Sequence, residues 1–356
     1  MAFNLTKSTG ICIIVSIMIL FFTILTVVLV VTNTKSTSTE STKSKFYSFY
    51  VIPLGTSGGL DESNLSSYIL TTVNDDTPDS IYISLDGGTL RHGIEIAIQK
   101  KCFSSTNVTA ERFIQEQIKD YFISHGHLDH ISGFILNSPN DKAGKTIFGL
   151  NETMKIIHDD YFNNQAWADF GPTGLKMYNY QILDPLSTNS ISIPNTNLNV
   201  RIFRLCHTCP FLSSAFLISR HDVNESSILY LGDTGPDDVE KIVQANNQTY
   251  SPRYLEQLWK AMGPLVVANQ LKAIFIEVSY PNERPDHLLF GHLTPKWLVK
   301  ELDVLRSYHS MENVTIVITH IKPEQGSREK IIEQLQNERN SKYNYIFPRQ
   351  GEPIWL

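Results

Sequence analysis

Cysteine is scarce in this chain: four residues in 356, one of which, Cys12, lies inside an apolar run near the N-terminus. Cys102, Cys206 and Cys209 are too few for a disulfide framework, so the fold must rest on a hydrophobic core, which 42% hydrophobic residues can supply. Positive charge is also short. The net charge is −6, and without residues 1–45 the remaining 26 basic and 35 acidic side chains leave −9. A body of that sign is ill suited to gripping a polyanion, so no nucleic-acid partner is expected. Internal repeats and long linkers are absent from residues 46–356, which therefore read as one domain. Histidine numbers only eleven.

What is present begins with Ile11–Val31, 21 residues without a charge. About 20 apolar residues span a bilayer, whereas the apolar part of a signal peptide runs to about 7–15. No small-x-small cleavage site follows. The run reads as a transmembrane anchor after a short tail, residues 1–10, and before a Ser/Thr-rich stalk, residues 32–45; cleavage would instead make the protein secreted. Lys7 before the run and Lys35, Lys43 and Lys45 after it point the large domain inward by the positive-inside count. Glycosylation acceptors pull the other way: Asn64, Asn107, Asn151, Asn224, Asn247 and Asn313 all follow the run. The expectation is a membrane-anchored glycoprotein with its large domain extracellular or lumenal.

From Phe46 onward, strand-like and helix-like segments alternate. Residues 49–55, 66–73, 80–88, 198–207, 213–219, 226–235 and 314–320 read as strands. ERFIQEQIKDYFISH passes from helix to a strand ending at His125, and ISGFILNS starts a helix. Tyr254–Met262 and Pro295–Ser307 read as helices. Several strands end in polar residues: Asp86, His125, His207, Asp233 and His320. Rigid scaffolds present chemistry at such ends.

The stretch SHGHLDHISG (124–133) crowds three histidines and an aspartate together. On extended backbone, residues i and i+2 point the same way, so His125 and His127 can hold one ion, with Gly126 allowing close approach. Asp129 and His130 follow at a turn into a helix and can face a second ion. The spacing suggests His125, His127 and His207 on one metal, Asp129, His130 and His320 on the other, and Asp233 between them. Imidazole with carboxylate suits two Zn²⁺ ions, with Fe or Mn also admissible.

These motifs resemble the metallo-β-lactamase superfamily. HGHLDHISGFILNSP (125–139) is similar to the signature of class II cyclic nucleotide phosphodiesterases, and LGTSGGLDESNLSSYIL, LDGGT, SSAFLI, YLGDTGPD, FIEVSYPN, GHLTP and THIKP agree with it across residues 49–323. The resemblance implies a mixed α+β or α/β fold, a four-layer αββα sandwich. It implies hydrolysis of cyclic AMP or cyclic GMP to the 5′-monophosphate by water activated between two metals. The seven ligands match the family's dinuclear site, with Asp129 counted among the catalytic residues, and Asp86 matches the acid that supports the site from behind. His292 resembles a histidine facing the scissile phosphate, and Glu277 the acid bonded to it. Gly58, Gly59 and Asn64 resemble a substrate-side loop; a glycan on Asn64 would obstruct that role.

Some features stay open at this level. Cys206 and Cys209 flank His207 as a lone C-x-x-C, compatible with zinc, a local disulfide or inert thiols. His158, Asp159 and Asp160 read as a solvated face or pocket rim. Tyr161, Phe162, Trp167 and Phe170 read as core residues or as a stacking surface for a purine. Rival functions are a tRNA 3′-processing nuclease, a lactam or lactone hydrolase, and a non-catalytic cyclic-nucleotide binder. Oligomeric state is not legible.

Overall fold

In the computed structural model of the chain, the described residues are 47–103, 108–222, 225–243, 248–337 and 342–356. The tail, the apolar run at 11–31, the stalk, Asn107, Asn224 and Asn247 lie outside them. Among the described residues no helix is long and apolar enough to cross a membrane.

The domain starts with β1 (Phe49–Gly55), β2 (Ser67–Asn74), β3 (Thr77–Pro78), β4 (Tyr82–Leu85), α1 (Arg91–Gln99), α2 (Ala110–Glu116), β5 (Ile118–Phe122) and α3 (Leu128–Asn137). Then come β6 (Lys145–Gly149), α4 (Asn151–Ile156), β7 (Tyr178–Ile182), β8 (Ile191–Ser192), β9 (Leu198–Cys206), β10 (Leu212–Arg220) and β11 (Ser226–Leu231). It closes with β12 (Ile242–Val243), β13 (Thr249–Tyr250), α5 (Tyr254–Val267), β14 (Leu271–Glu277), α6 (Pro295–Arg306), β15 (Thr315–Thr319), α7 (Ser327–Asn337), β16 (Asn344–Ile346) and β17 (Ile354–Trp355).

Two sheets result. One has the order β17-β1-β2-β4-β5-β6-β7 with β3 beside β2; the other runs β16-β15-β14-β11-β10-β9-β8. Side-chain alternation places them face to face. Along β1, Phe49 and Val51 enter the core between the sheets, while Tyr50, Ile52 and Leu54 enter a second core beneath Ile94 of α1, Phe113 of α2 and Phe134 of α3. Along β11, Ile228 and Tyr230 face the first core, whereas Leu229 and Leu231 face a third, with Trp259 of α5 and Leu302 of α6. The layers are thus helix, sheet, sheet, helix. β4, β5, β6 and β7 run parallel to their neighbours in that series, as do β11, β14, β15 and β16. Loops at the carboxyl ends of parallel strands are the usual seat of ligands in such sheets.

The helix expected at Tyr254–Met262 continues to Val267 through Pro264. Proline removes one backbone donor, but the buried stripe Leu255, Leu258, Trp259, Met262 and Val266 carries on across it, and packing outweighs the loss.

One buried acid makes the fold pH-sensitive. The Glu301 carboxylate on α6 accepts the Trp259 indole N–H (3.3 Å) and the Asp237 backbone N–H (3.2 Å). Burial, and then the charge of Asp237, push its pKa from 4.5 up to about 7. A raised folded-state pKa means stability that is full below pH 4.5 and is lost as the pH rises through about 7. Between pH 5 and 8.5 wild type should therefore lose about 2–3 kcal/mol that Glu301→Gln does not lose. Denaturant titrations of both chains at the two pH values measure it; parallel losses would refute the assignment.

Candidate metal centre and its cavity

Beyond β5 the chain stays extended to His127 and then enters α3 at Leu128. His125 and His127 therefore share a direction, while Asp129 and His130 leave from the first helical turn. His207 follows β9, Asp233 lies two residues past β11, and His320 follows β15. Asp86 (φ 56°) and His320 (φ 57°) adopt left-handed backbone, uncommon outside glycine, which turns both side chains off their strands.

The structure brings the seven residues together in two groups. The donor atoms of His125, His127, His207 and Asp233 lie within 4.8 Å of one another, as do those of Asp129, His130, Asp233 and His320. Asp233 belongs to both. Its Oδ1 is 3.3 Å from His130 Nε2, and its Oδ2 is 3.2 Å from His320 Nε2, 3.7 Å from His207 Nε2 and 3.8 Å from His125 Nε2. Asp129 Oδ2 is 3.1 Å from His320 Nε2, and His127 Nδ1 is 3.2 Å from His207 Nε2.

Most of these rings are oriented from behind. Asp86 Oδ2 lies 2.8 Å from His130 Nδ1 and accepts the Tyr230 hydroxyl (2.7 Å), while the Ser124 backbone N–H donates to Oδ1 (2.7 Å). His207 Nδ1 donates to the Gly291 carbonyl (2.9 Å), and Ser124 and Ser279 hydroxyls sit 3.0 Å from Nδ1 of His125 and His320 respectively. Engaging Nδ1 leaves Nε2 for the centre. His125 Nε2 and His130 Nε2 are buried with no hydrogen-bond partner among the described residues. A buried polar atom is costly unless something satisfies it. Convergent imidazoles and carboxylates with orphaned nitrogens and carboxylate support behind fit a pair of divalent cations such as Zn²⁺.

The protonation states of four of the five imidazoles agree. Burial pushes His125 well below the usual histidine range, lowers His127 and His320, and puts His207 at about 4. Neutral imidazole is the form that ligates. His130 goes the other way, because Asp233 and Asp86 outweigh its burial. Burial would raise the carboxyls of Asp129 and Asp233, but the facing imidazoles hold both low.

Beside this floor sits His292, in the loop before α6. Its Nδ1 is 2.8 Å from Glu277 Oε1, leaving Nε2 for another partner. Glu277 is fully buried at the end of β14 and also accepts the Thr234 backbone N–H (3.0 Å) and the Ser279 hydroxyl (2.6 Å). Burial would lower His292, yet Glu277 raises it; burial would raise Glu277, yet His292 lowers it.

The centre opens into a cavity of about 440 Å³, whose lining includes Thr208, Phe211, Tyr280, Phe290, His292 and Lys322. That is a typical volume for a small-molecule site. Phe211 stacks on His127 (4.7 Å), and Phe290 is 56% exposed at the rim. Sequence reasoning missed these aromatics. Of those it offered, Phe162 and Phe170 are buried on the helix side of the first sheet, with Tyr161 and Trp167 packed against them; none lines this cavity. His158 pairs with Asp159 at 2.7 Å near the surface and does not line the cavity.

Gly58 backs directly onto His320: a Cβ there would stand 2.3 Å from its ring. Gly59 (φ 68°) lies beside Asp129 and Lys322. Asn64 is not among the residues lining the cavity. Its side chain accepts the Thr56 backbone N–H (3.0 Å) and donates to the Ser57 hydroxyl (2.9 Å), so it closes the loop. Asn151 and Asn313 are exposed. Cys206 and Cys209 are joined as a disulfide beside His207.

The pattern of the family described as class-II cAMP phosphodiesterases matches residues 47–351. A probable 3′,5′-cyclic-nucleotide phosphodiesterase of Yersinia pestis is 37% identical over 324 residues, covering 86% of this chain and 88% of the relative. The crystal structure of unliganded yeast PDE1 superimposes with a TM-score of 0.74 at 23% identity, over 87% of this chain and 100% of that one. The metallo-β-lactamase fold protein YhfI of Bacillus subtilis does so with a TM-score of 0.54 at 12% identity, over 87% of this chain and 99% of that one.

Proposed function

The chain belongs to the class-II cAMP phosphodiesterase family, with a mixed α/β, metallo-β-lactamase-like fold, and from that premise we propose that it hydrolyses the 3′ ester of 3′,5′-cyclic nucleotides, cyclic AMP or cyclic GMP, at a two-metal centre. The observation that carries this reading is one carboxylate, Asp233, shared by two groups of ligands on the floor of a nucleotide-sized cavity.

His125, His127, His207 and Asp233 would hold one divalent cation; Asp129, His130, His320 and Asp233 would hold the other. When bound, such ions make water nucleophilic at neutral pH and offset the charge that grows on phosphoryl oxygens. The chain's own groups do the rest. Asp86, Ser124, Ser279 and the Gly291 carbonyl keep the imidazoles in their ligating tautomers. When water attacks phosphorus, the P–O3′ bond breaks and the 3′ oxygen needs a proton. His292 Nε2 supplies it, and Glu277 steadies the imidazolium.

The test is a substrate panel: cyclic AMP, cyclic GMP, a precursor tRNA and a lactam, on protein of measured metal content. Turnover of a cyclic nucleotide alone, with about two metals per chain, is the expected result. EDTA should reduce that turnover at least ~100-fold and Zn²⁺ should restore it, because water loses its activation. Undiminished turnover in metal-free protein would sink the reading.

We also propose that residues 11–31 anchor the protein, with the catalytic domain extracellular or lumenal and acting on cyclic nucleotide there. The apolar run and the exposed acceptors Asn151 and Asn313 support this. Protease protection of the domain in sealed microsomes is the expected outcome; digestion from the cytosolic side would reverse it.

A further inference from the structure

We infer that Lys322 is a substrate-binding residue of this reaction, its ammonium receiving a non-bridging oxygen of the cyclic phosphodiester; this rests on the reading just given.

Among the residues lining the cavity, Lys322 is the one lysine or arginine. Its backbone is pinned from two sides. The Lys322 N–H donates to the Ser279 carbonyl (3.2 Å), and the Gly58 N–H donates to the carbonyl of the preceding Ile321 (3.2 Å). Ser279 also braces the His320 ring, so the contacts that place a metal ligand also place this lysine. Only 16% of its side chain is exposed.

The ammonium is poorly satisfied where it stands. Its nearest charge is Asp129 Oδ2 at 3.8 Å, beyond hydrogen-bond range, and no hydrogen bond reaches Nζ among the described residues. That same Asp129 oxygen lies 3.1 Å from His320 Nε2, inside one of the two ligand groups. Engagement of the carboxylate by a cation would draw its charge off the lysine and leave three N–H donors facing the cavity. A phosphodiester brings one negative charge and two non-bridging oxygens. Gly59 lies against both groups: a Cβ there would stand 3.6 Å from Lys322 Nζ and from Asp129 Oδ2, an ordinary contact distance. His292 lines the same cavity, so a lysine and an imidazole both border the space open to a phosphodiester.

The bland alternative is that Lys322 merely neutralises Asp129. The two roles separate experimentally. If Lys322 receives the phosphodiester, Lys322→Ala should raise KM for the cyclic nucleotide ~10–100-fold, the usual worth of a charge-assisted hydrogen bond, with kcat within about fivefold of wild type. Lys322→Arg should recover most of the loss. Metal content should stay at the wild-type value, and calorimetric binding of 5′-AMP and of inorganic phosphate to the metal-loaded protein should weaken by a similar factor. An unchanged KM, or a loss of activity that tracks a loss of metal, would overturn the inference. Absence of turnover by the unaltered chain would instead remove the reading beneath it.

Discussion

Asp233→Ala is expected to abolish turnover, with kcat/KM falling by at least ~10³-fold, about 4 kcal/mol of transition-state stabilisation. The reason is geometric. Both of its oxygens sit among five imidazoles, His292 included, at 3.2–3.8 Å, and it is the one residue common to both ligand groups. Removing His127 takes one donor from one group; removing Asp233 takes one from each. It also leaves the imidazoles of His130 and His320 facing each other with less compensating charge, since Asp233 is the leading carboxylate acting on both. Metal analysis on folded protein should show both ions depleted, whereas His127→Ala should chiefly weaken one. Asp233→Asn keeps shape but not charge, and belongs near the alanine variant. Two tightly held ions and near-normal turnover in Asp233→Ala would dismantle the two-metal reading.

Why so much of the centre could be read from the sequence is itself physical. His125, His127, Asp129 and His130 fall within six consecutive positions, and the switch from extended backbone to helix at Leu128 directs them in pairs. His207, Asp233 and His320 were traceable because each follows a strand with a plain apolar pattern. The cavity wall was not. Phe211, Tyr280, Phe290 and Lys322 come from loops, where an aromatic looks the same whether it lines a site or seals a core. Lys322 did carry a faint signal, two residues beyond a strand-end ligand. β14 has buried residues on both faces, so LKAIFIE shows no alternation to mark it as a strand. β7 sits at a sheet edge with only Tyr178 buried, and β17 pairs two residues with β1 from the far end of the chain. Such elements exist through tertiary contacts that local pattern does not encode.

The second large effect concerns the leaving group. His292→Ala should lower kcat on cyclic AMP ~10²–10⁴-fold, the span typical of general acid catalysis, because the departing 3′ alkoxide is too basic to leave without a proton. An aryl phosphodiester with a 4-nitrophenolate leaving group needs none, so on that substrate the same variant should lose less than ~10-fold. The contrast between the two substrates isolates proton delivery from general damage, since misfolding or metal loss would depress both equally. Glu277→Gln should reproduce the pattern in weaker form: the amide still spaces His292 Nδ1 but no longer balances an imidazolium, and the Thr234 and Ser279 bonds to the same carboxylate are altered with it. His292 does not belong to either of the ligand groups sharing Asp233, so metal content should survive its removal. If the variant lost the same factor on both substrates with both ions retained, His292 would be a binding residue, and the proton for the 3′ oxygen would have to come from elsewhere in the cavity.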